Sequence, residues 1–287
     1  MHDLFQALRP QQWIKNLLCY AGCFFALRLS DPATFWRATT AFLVFCAVSS
    51  AVYILNDLLD RDSDRHHPFK SKRPIASGRI SARMAIAVAS LLILGGGAAA
   101  VRLGHYFSAI VAVYIAQNIA YSLALKKVAI VDIMCIALGF VWRAVAGVAA
   151  ANVALSHWLL LCTFSVSMFL AVAKRRHELL TLEVNATRHR NVLSEYSVPF
   201  IDAVMMITTA LTVFSYALYT VADETIGKFG TDRLIYTTPF VFYGVFHYLY
   251  LVYQRNEGGN PASLILHDRP LQINIALWIV VVGGLIY

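Results

Sequence analysis

Nine long apolar stretches constrain the fold of this chain more than any other feature of its sequence. They cover residues 17–29, 38–55, 84–101, 106–125, 128–151, 155–173, 200–221, 234–253 and 271–287. Most approach the roughly 20 residues that a helix needs to cross the hydrocarbon core of a bilayer. They are continuously apolar and lack the alternation with period two that marks membrane strands. The sequence therefore predicts an all-α, polytopic membrane protein with nine transmembrane helices.

The composition indicates that this membrane bundle is the whole of the fold. The chain is 14% charged, whereas a soluble domain of its length is about one quarter charged. No polar segment is long enough to fold alone, and the polar segment before the first stretch lacks a signal-peptide pattern. We therefore expect residues 1–287 to form a single transmembrane domain. The five cysteines all fall inside apolar stretches, and we interpret them as small core residues.

Basic residues are distributed unevenly between the two sides of the predicted bundle. With nine alternating helices, 18 of the 24 lysines and arginines fall on the side of the N-terminus and five on the other, while Arg143 lies within a span. Cytoplasmic loops of membrane proteins carry such an excess. The sequence predicts an inner-membrane protein with a cytoplasmic N-terminus. This asymmetry accounts for the net charge of +8 without nucleic acid as a partner.

An acidic motif begins in the second span and leaves it on the cytoplasmic side: Asn56-Asp57-x-x-Asp60-x-x-x-Asp64. On an α-helix the three aspartates fall within about a 60° arc, and Asn56 widens it by roughly 40°. Carboxylates on one face repel each other, and Mg²⁺ typically bridges carboxylates to the phosphates of a substrate. We predict that the three aspartates are catalytic ligands of Mg²⁺ or Mn²⁺, with Asn56 beside the bound diphosphate.

A solvated helix end is the other interpretation of this motif, with its acids paired to Arg61, Arg65 and Lys70. Acids that only solubilise a loop need no common face. Asn56 and Asp57 also follow directly after an apolar run, where burial of polar groups is expensive. The pattern therefore favours a functional site.

Lys70 and Arg73 follow the motif in the same loop. Cytoplasmic loops are basic in any case, but cations beside a metal site are also what a polyphosphate leaving group requires. We take both residues as candidates for substrate binding.

A polar cluster precedes the first span, with Gln12, Lys15 and Asn16 around Trp13. An interfacial anchor explains the tryptophan and the lysine. It does not explain Gln12 and Asn16, which stand four residues apart, the spacing of one α-helix face. We expect Gln12, Lys15 and Asn16 to bind substrate.

Two further clusters map to the cytoplasmic side. Tyr121 and Lys126 end the fourth span, and Arg143 lies deep in the fifth, where it either holds a phosphate or locks helices together. The second cluster, at the end of the sixth span, contains Lys174, Arg175 and Glu178. It is either an ion pair or a binding site.

The chain resembles the UbiA superfamily of intramembrane prenyltransferases. It shares with that superfamily nine predicted helices and the motif Asn-Asp-x-x-Asp-x-x-x-Asp after the second helix. Ordinary members have a second aspartate-rich motif after the sixth helix, where this chain has Lys174-Arg175-Arg176-His177-Glu178-Leu179. Three stretches are similar to the phosphoribosyltransferase branch of that superfamily. They begin at Arg9-Pro10, at Asp64-Arg65-His66-His67-Pro68 and at Lys174-Arg175, and the segment from Trp142 to Gly147 also fits.

This resemblance implies a reaction and its participants. The branch transfers 5-phosphoribose from phosphoribosyl diphosphate (PRPP) to a polyprenyl phosphate of the decaprenyl type, and releases diphosphate. A monophosphate acceptor makes a second aspartate motif unnecessary, because the sugar carries the sole diphosphate. Lys15, Arg73, Lys174 and Arg175 become candidates for the sugar 5-phosphate and the lipid phosphate. The bilayer is a partner, and the oligomeric state stays open.

Two alternatives compete with this interpretation. An aromatic prenyltransferase of the same superfamily would use a prenyl diphosphate, but its second aspartate-rich motif is missing. A secondary transporter would concentrate its ionisable residues near the bilayer midplane, whereas the polar clusters here lie at one membrane face. The sequence therefore favours the phosphoribosyltransferase.

Overall fold

The structure, a computed structural model, describes residues 2–66, 70–181 and 191–287. The described residues form α-helices and 3-10 helices joined by turns, with no strand among them, so the all-helical prediction is confirmed. Two compact units divide them, one ending at Leu155 and the other beginning at Ser156. Arg188 and Arg190, which entered the charge count, and His67 and Pro68 of the loop motif lie outside the described residues.

The first unit is built around one long helix. In chain order its helices are α1 His2–Leu8, a 3-10 helix Pro10–Tyr20, α2 Ala21–Phe25, α3 Pro32–Leu59, α4 Arg61–Arg65, a 3-10 turn Lys70–Lys72, α5 Ala82–Leu103, α6 His105–Leu123, a 3-10 turn Leu125–Lys127 and α7 Val131–Ala151. The central helix α3 packs against α5, α6, α7 and the first 3-10 helix. Its core contacts include edge-on packing of Phe45 against Phe107 and Tyr114.

Polar side chains fix the ends of these helices. Asp31 caps α3 by accepting a hydrogen bond from the Ala33 amide at 3.2 Å. Arg37 donates from Nε to the Ala150 carbonyl at 2.6 Å and from Nη2 to the Leu103 carbonyl at 3.0 Å. One guanidinium thus satisfies carbonyls at the C-terminal ends of both α7 and α5, where a cation also complements the helix dipole.

The first 3-10 helix lies unusually close to α7. A Cβ added to Gly147 would come within 2.1 Å of the Cys19 carbonyl oxygen, so only glycine permits this approach. A run of 11 residues is long for a 3-10 helix, since runs beyond three or four residues are uncommon. Close packing against α7 and α3 holds it in place.

The second unit contains the remaining helices. They are α8 His157–Thr181, a 3-10 segment Asn191–Glu195, α9 Val198–Val221, α10 Asp223–Phe229, a 3-10 turn Arg233–Thr237, α11 Thr238–Gln254, α12 Pro261–His267 and α13 Arg269–Ile286. Within it α8 packs on α9, α9 on α11, and α11 on α13. Asn274 donates to the Phe240 carbonyl at 2.9 Å, which ties α13 to α11.

Seven of the described helices are long and apolar enough to cross a membrane: α3, α5, α6, α7, α8, α9 and α13. They make the chain a multi-pass membrane protein. The first and eighth predicted spans differ from the rest in a specific way. The first ends the 3-10 helix at Tyr20 and continues into the five-residue helix α2, and the eighth is the 17-residue α11 preceded by a 3-10 turn. The predicted count of nine is therefore not confirmed.

Candidate active site

Two aspartates of the acidic motif meet at one arginine. Arg73 Nη1 donates to Asp57 Oδ1 at 2.9 Å and to Asp64 Oδ2 at 2.7 Å. Arg9 Nη2 donates to the same Asp57 oxygen at 2.5 Å. The two carboxylates are almost completely buried, with side chains 4% and 5% exposed. A buried carboxylate needs this kind of compensation, because an unpaired charge at such a site is costly.

The third aspartate has different partners. Lys126 Nζ donates to Asp60 Oδ1 at 2.5 Å, and Asn56 Nδ2 donates to Asp60 Oδ2 at 3.2 Å. Ser122 Oγ in turn donates to Asn56 Oδ1 at 3.0 Å. The end of α6 and the turn after it thus supply the groups that surround Asp60, whose side chain is 29% exposed.

The backbone explains this division of the motif. Helix α3 ends at Leu59, and Asp60 has φ −91° and ψ 5°, away from the values of a regular helix. Asp64 follows on the separate short helix α4. The structure therefore does not place the three aspartates on one continuous helix face as predicted. Across residues 2–66, 70–181 and 191–287, no three His, Cys, Asp or Glu side chains are grouped as metal ligands.

Charge in this region is balanced among its own side chains. Three carboxylates, Asp57, Asp60 and Asp64, face three cations, Arg9, Arg73 and Lys126. Burial raises the pKa of the Asp64 carboxyl, with the charge of Asp57 adding to the rise and those of Arg73 and Lys70 opposing it. A turn precedes Arg73, since the Arg73 amide donates to the Lys70 carbonyl at 2.9 Å.

Arg143 is buried in the first unit and held by neutral groups. Its Nε donates to Asn16 Oδ1 at 2.7 Å, Nη2 to the Tyr114 hydroxyl at 2.9 Å and Nη1 to the Gly139 carbonyl at 2.5 Å. Its guanidinium also lies 5.8 Å from the centroid of the Phe140 ring. Among the described residues it forms no ion pair with an acid, so its positive charge is uncompensated there.

The 3-10 geometry changes which N-terminal residues share a face. With three residues per turn, positions i and i+3 are eclipsed, so Asn16 aligns with Trp13 rather than with Gln12. Trp13 and Asn16 indeed both contact α3, through Ser50 at 3.0 Å and Ser49 at 3.4 Å. The expected common face of Gln12 and Asn16 is therefore wrong, and Gln12 instead shares its face with Lys15.

Lys15 lies before the first apolar stretch, with its ammonium 5.5 Å from the centroid of the Phe140 ring. Lys15 and Arg143 thus approach the same ring. Burial of the ammonium lowers the pKa of Lys15 to about 7, and the positive charges of Arg143 and Arg9 contribute to the decrease. Within the described part of the chain Lys15 has no carboxylate partner.

The predicted residues of the sixth span lie in the second unit, at the end of α8. Arg175 Nη1 donates to Glu178 Oε2, and Lys174 Nζ is 3.9 Å from Glu178 Oε1. The next residue, Arg176, donates to Asp202 Oδ1 at 2.7 Å and fixes α8 to α9. An ion pair, one of the two interpretations of this cluster, is thus present.

Two further predicted residues lie in the first unit. Tyr121 is partly exposed near the end of α6, and Lys70 begins a 3-10 turn. Two contacts of the site escaped prediction. Arg9 belongs to a stretch that is similar to the phosphoribosyltransferase branch, but nothing in the sequence showed that it would contact Asp57. Ser122 has no distinguishing signal in the sequence, because one serine at a span end is common.

Comparisons with known proteins give the family of the chain and its relatives. A model of the UbiA prenyltransferase family matches residues 16–276. The decaprenyl-phosphate phosphoribosyltransferase of Mycolicibacterium smegmatis is 34% identical over 99% of this chain and 92% of its own length. The enzyme of that name from Corynebacterium glutamicum is 32% identical over 99% of this chain and 86% of its own. A UbiA homologue from Archaeoglobus fulgidus, solved bound to GPP and Mg²⁺, has a TM-score of 0.76 at 20% identity, with 99% of each chain covered.

Proposed function

This chain belongs to the UbiA prenyltransferase family, and we propose that it transfers 5-phosphoribose from PRPP to a polyprenyl phosphate. One observation carries the proposal. Relatives named decaprenyl-phosphate phosphoribosyltransferase match nearly the whole chain at about one third identity. The chemistry of the acidic site agrees with a substrate that carries one diphosphate.

The donor set at Asp57 and Asp64 fits a divalent cation. One guanidinium nitrogen lies within hydrogen-bond distance of both carboxylates, so a positive centre already occupies the position between them. Mg²⁺ usually takes one or two carboxylates and completes its coordination with water and substrate phosphate. We therefore propose Asp57 and Asp64 as metal ligands, with Asp60 as the third. When bound, Mg²⁺ or Mn²⁺ would supply positive charge to the leaving diphosphate.

The side chains around the carboxylates would complete this site. Arg9, Arg73 and Lys126 neutralise three carboxylates when no metal is bound, and they would offer their donors to phosphate oxygens once a metal takes over that role. In the reaction the bond from ribose C1 to the diphosphate oxygen breaks and the diphosphate keeps the electron pair. A lipid phosphate oxygen forms the new bond to C1. This oxygen is already ionised at neutral pH, so the transfer needs no general base.

Lys15 and Arg143 are our candidates for a second phosphate group, the sugar 5-phosphate or the lipid phosphate. Both approach Phe140, and neither has an acidic partner among the described residues. Uncompensated cations inside a membrane protein are expensive, and a bound phosphate would lower that cost. Gln12, Asn16, Asn56, Lys70, Tyr121, Lys174, Arg175 and Glu178 remain proposed substrate-binding residues.

We further propose nine membrane crossings with the N-terminus and the active site at the cytoplasmic face of the inner membrane. Residues 17–29 and α11 would supply the two crossings beyond the seven long apolar helices. The basic asymmetry of the loops supports the orientation.

Transfer of label from radiolabelled PRPP into lipid tests the proposal. Purified protein would be incubated with polyprenyl phosphate and Mg²⁺, beside Asp57→Ala and a reaction without metal. We expect labelled lipid that disappears in both controls. Absence of label across several acceptor lengths, together with transfer of a prenyl chain onto an aromatic acid, would replace this function by aromatic prenyl transfer.

A further inference from the structure

Ser122 lies in the last turn of α6, where it is buried, and its single hydroxyl proton is directed away from its own helix. The hydroxyl donates to Asn56 Oδ1 on α3 at 3.0 Å. Serine in a helix commonly donates instead to the carbonyl four residues earlier. Ser108 of the same helix does so, to Gly104 at 2.9 Å. The contact of Ser122 is therefore a specific link between two helices.

This link determines the orientation of the Asn56 amide. An asparagine side chain has one acceptor oxygen and one donor nitrogen. With the oxygen engaged by the Ser122 hydroxyl, Nδ2 points to Asp60 Oδ2, to which it donates at 3.2 Å. The opposite orientation would place the amide oxygen against the carboxylate, and two acceptors repel each other.

Both oxygens of the Asp60 carboxylate accept a hydrogen bond in this arrangement. Asn56 holds Oδ2, and Lys126, four residues after Ser122, holds Oδ1 at 2.5 Å. Two side chains at one end of α6 thereby restrain the carboxylate, Lys126 directly and Ser122 through the amide. The three residues between them, Leu123, Ala124 and Leu125, have apolar side chains that could not replace these contacts.

We propose that Ser122 is a positioning residue, which acts through Asn56 to hold the Asp60 carboxylate in one orientation for binding of the metal–diphosphate substrate. This inference rests on the proposed function. It concerns a residue that does not touch the substrate, so its effect should pass entirely through Asn56.

A double-mutant cycle between Ser122 and Asn56 tests this inference. The variants are Ser122→Ala, Asn56→Ala, the double variant and Ser122→Thr, with Ser108→Ala as the matched control on the same helix. Three quantities are measured: Mn²⁺ binding by electron paramagnetic resonance without substrate, the KM for PRPP, and kcat.

Loss of one neutral hydrogen bond should weaken Mn²⁺ binding and raise the KM for PRPP by about three- to tenfold in Ser122→Ala. Ser122→Thr keeps the hydroxyl and should restore both values, while Ser108→Ala should match the wild type. In the Asn56→Ala background, Ser122→Ala should have no further effect.

Equal values for Ser122→Ala and Ser108→Ala would overturn the inference, and so would an undiminished effect of Ser122→Ala in the Asn56→Ala background. Failure of the proposed function gives a different result. In that case the wild type would transfer no phosphoribose, yet the Mn²⁺ cycle would still report whether Ser122 acts through Asn56.

Discussion

The aspartates of the acidic motif fall into two halves with different partners: Asp57 and Asp64 form one, and Asp60 forms the other. Asp57 and Asp64 are buried and share Arg73, with Arg9 added at Asp57. Asp60 is several times more exposed and is held by one lysine and one amide. The first half brings two carboxylates to one positive centre. The second half orients a single carboxylate from α6.

Burial makes these halves unequal in their sensitivity to substitution. Removing one partner of a buried charge pair leaves the other uncompensated, which costs several kcal/mol. A partly exposed pair contributes only about 0–1 kcal/mol because water screens it. We therefore expect losses of activity to decrease from the Asp57–Asp64 half to the Asp60 half, and further to the cations without acidic partners.

Asp57→Asn should give the largest loss. The substitution keeps the shape of the side chain but removes the charge that two arginines and the proposed metal share. Phosphoribosyl transfer should fall by at least about 1,000-fold, the scale of a lost electrostatic contact at a reacting centre. The rate of transfer from labelled PRPP measures this.

The matched control for Asp57 is Asp62→Asn within the same motif. Its side chain is 90% exposed, and its ion-pair partner among the described residues is Arg65. It should retain full activity. An equal loss in both variants would show that the motif acts through its total negative charge and not through the buried pair.

Arg73→Gln should follow, with a loss of about 100-fold in kcat/KM for PRPP. Arg73→Lys should not restore activity, because the lysine ammonium does not extend as far as the Nη1 atom that contacts both carboxylates. Arg83→Gln, an exposed position at the start of α5, serves as the control. Full rescue by lysine would contradict the bridging role of Arg73.

Lys126→Gln addresses the Asp60 half and should lower kcat/KM by about tenfold. Lys127→Gln is the control, since Lys127 lies in the same 3-10 turn but is exposed. A loss at Lys126 as large as that at Arg73 would erase the distinction between the halves. Steady-state kinetics with varied PRPP decides between these outcomes.

The halves also show what the sequence could and could not predict. Hydropathy and spacing predicted the all-helical membrane fold and the acidic motif, since both depend on local pattern. The division at Asp60 was not predictable, because it depends on the end of α3 at Leu59 and on partners from distant segments. Arg9 and Asp57 are 48 residues apart in sequence, and Ser122 and Asn56 are 66 apart.

The N-terminal segment shows the limit of periodicity most clearly. Gln12 and Asn16 were assigned to one face on the assumption of an α-helix, but close packing at Gly147 and Cys19 accompanies a 3-10 helix there. Nothing in the residues from Pro10 to Tyr20 marks that geometry. It depends on the glycine of another helix, more than 100 residues further along the chain.

Lys15 is a cation without an acidic partner among the described residues. The pH dependence of substrate binding by Lys15 should be the smallest of the expected effects. With its pKa lowered to about 7, Lys15 is charged below that pH and becomes neutral as the pH rises through it. A phosphate bound by Lys15 should therefore bind more weakly at higher pH. We expect the KM for the substrate concerned to rise about fourfold between about pH 6 and pH 7.5.

Lys15→Arg isolates this contribution, because arginine stays charged throughout the range. Phosphate groups themselves ionise near pH 6, so the informative quantity is the difference between the two KM profiles. The variant should lose the rise above pH 7, whereas Lys127→Arg should keep it. Profiles measured separately for PRPP and for polyprenyl phosphate would show which phosphate Lys15 binds. Identical profiles for wild type and Lys15→Arg with both substrates would remove Lys15 from the site and leave the Asp57–Asp64 half as its main source of binding.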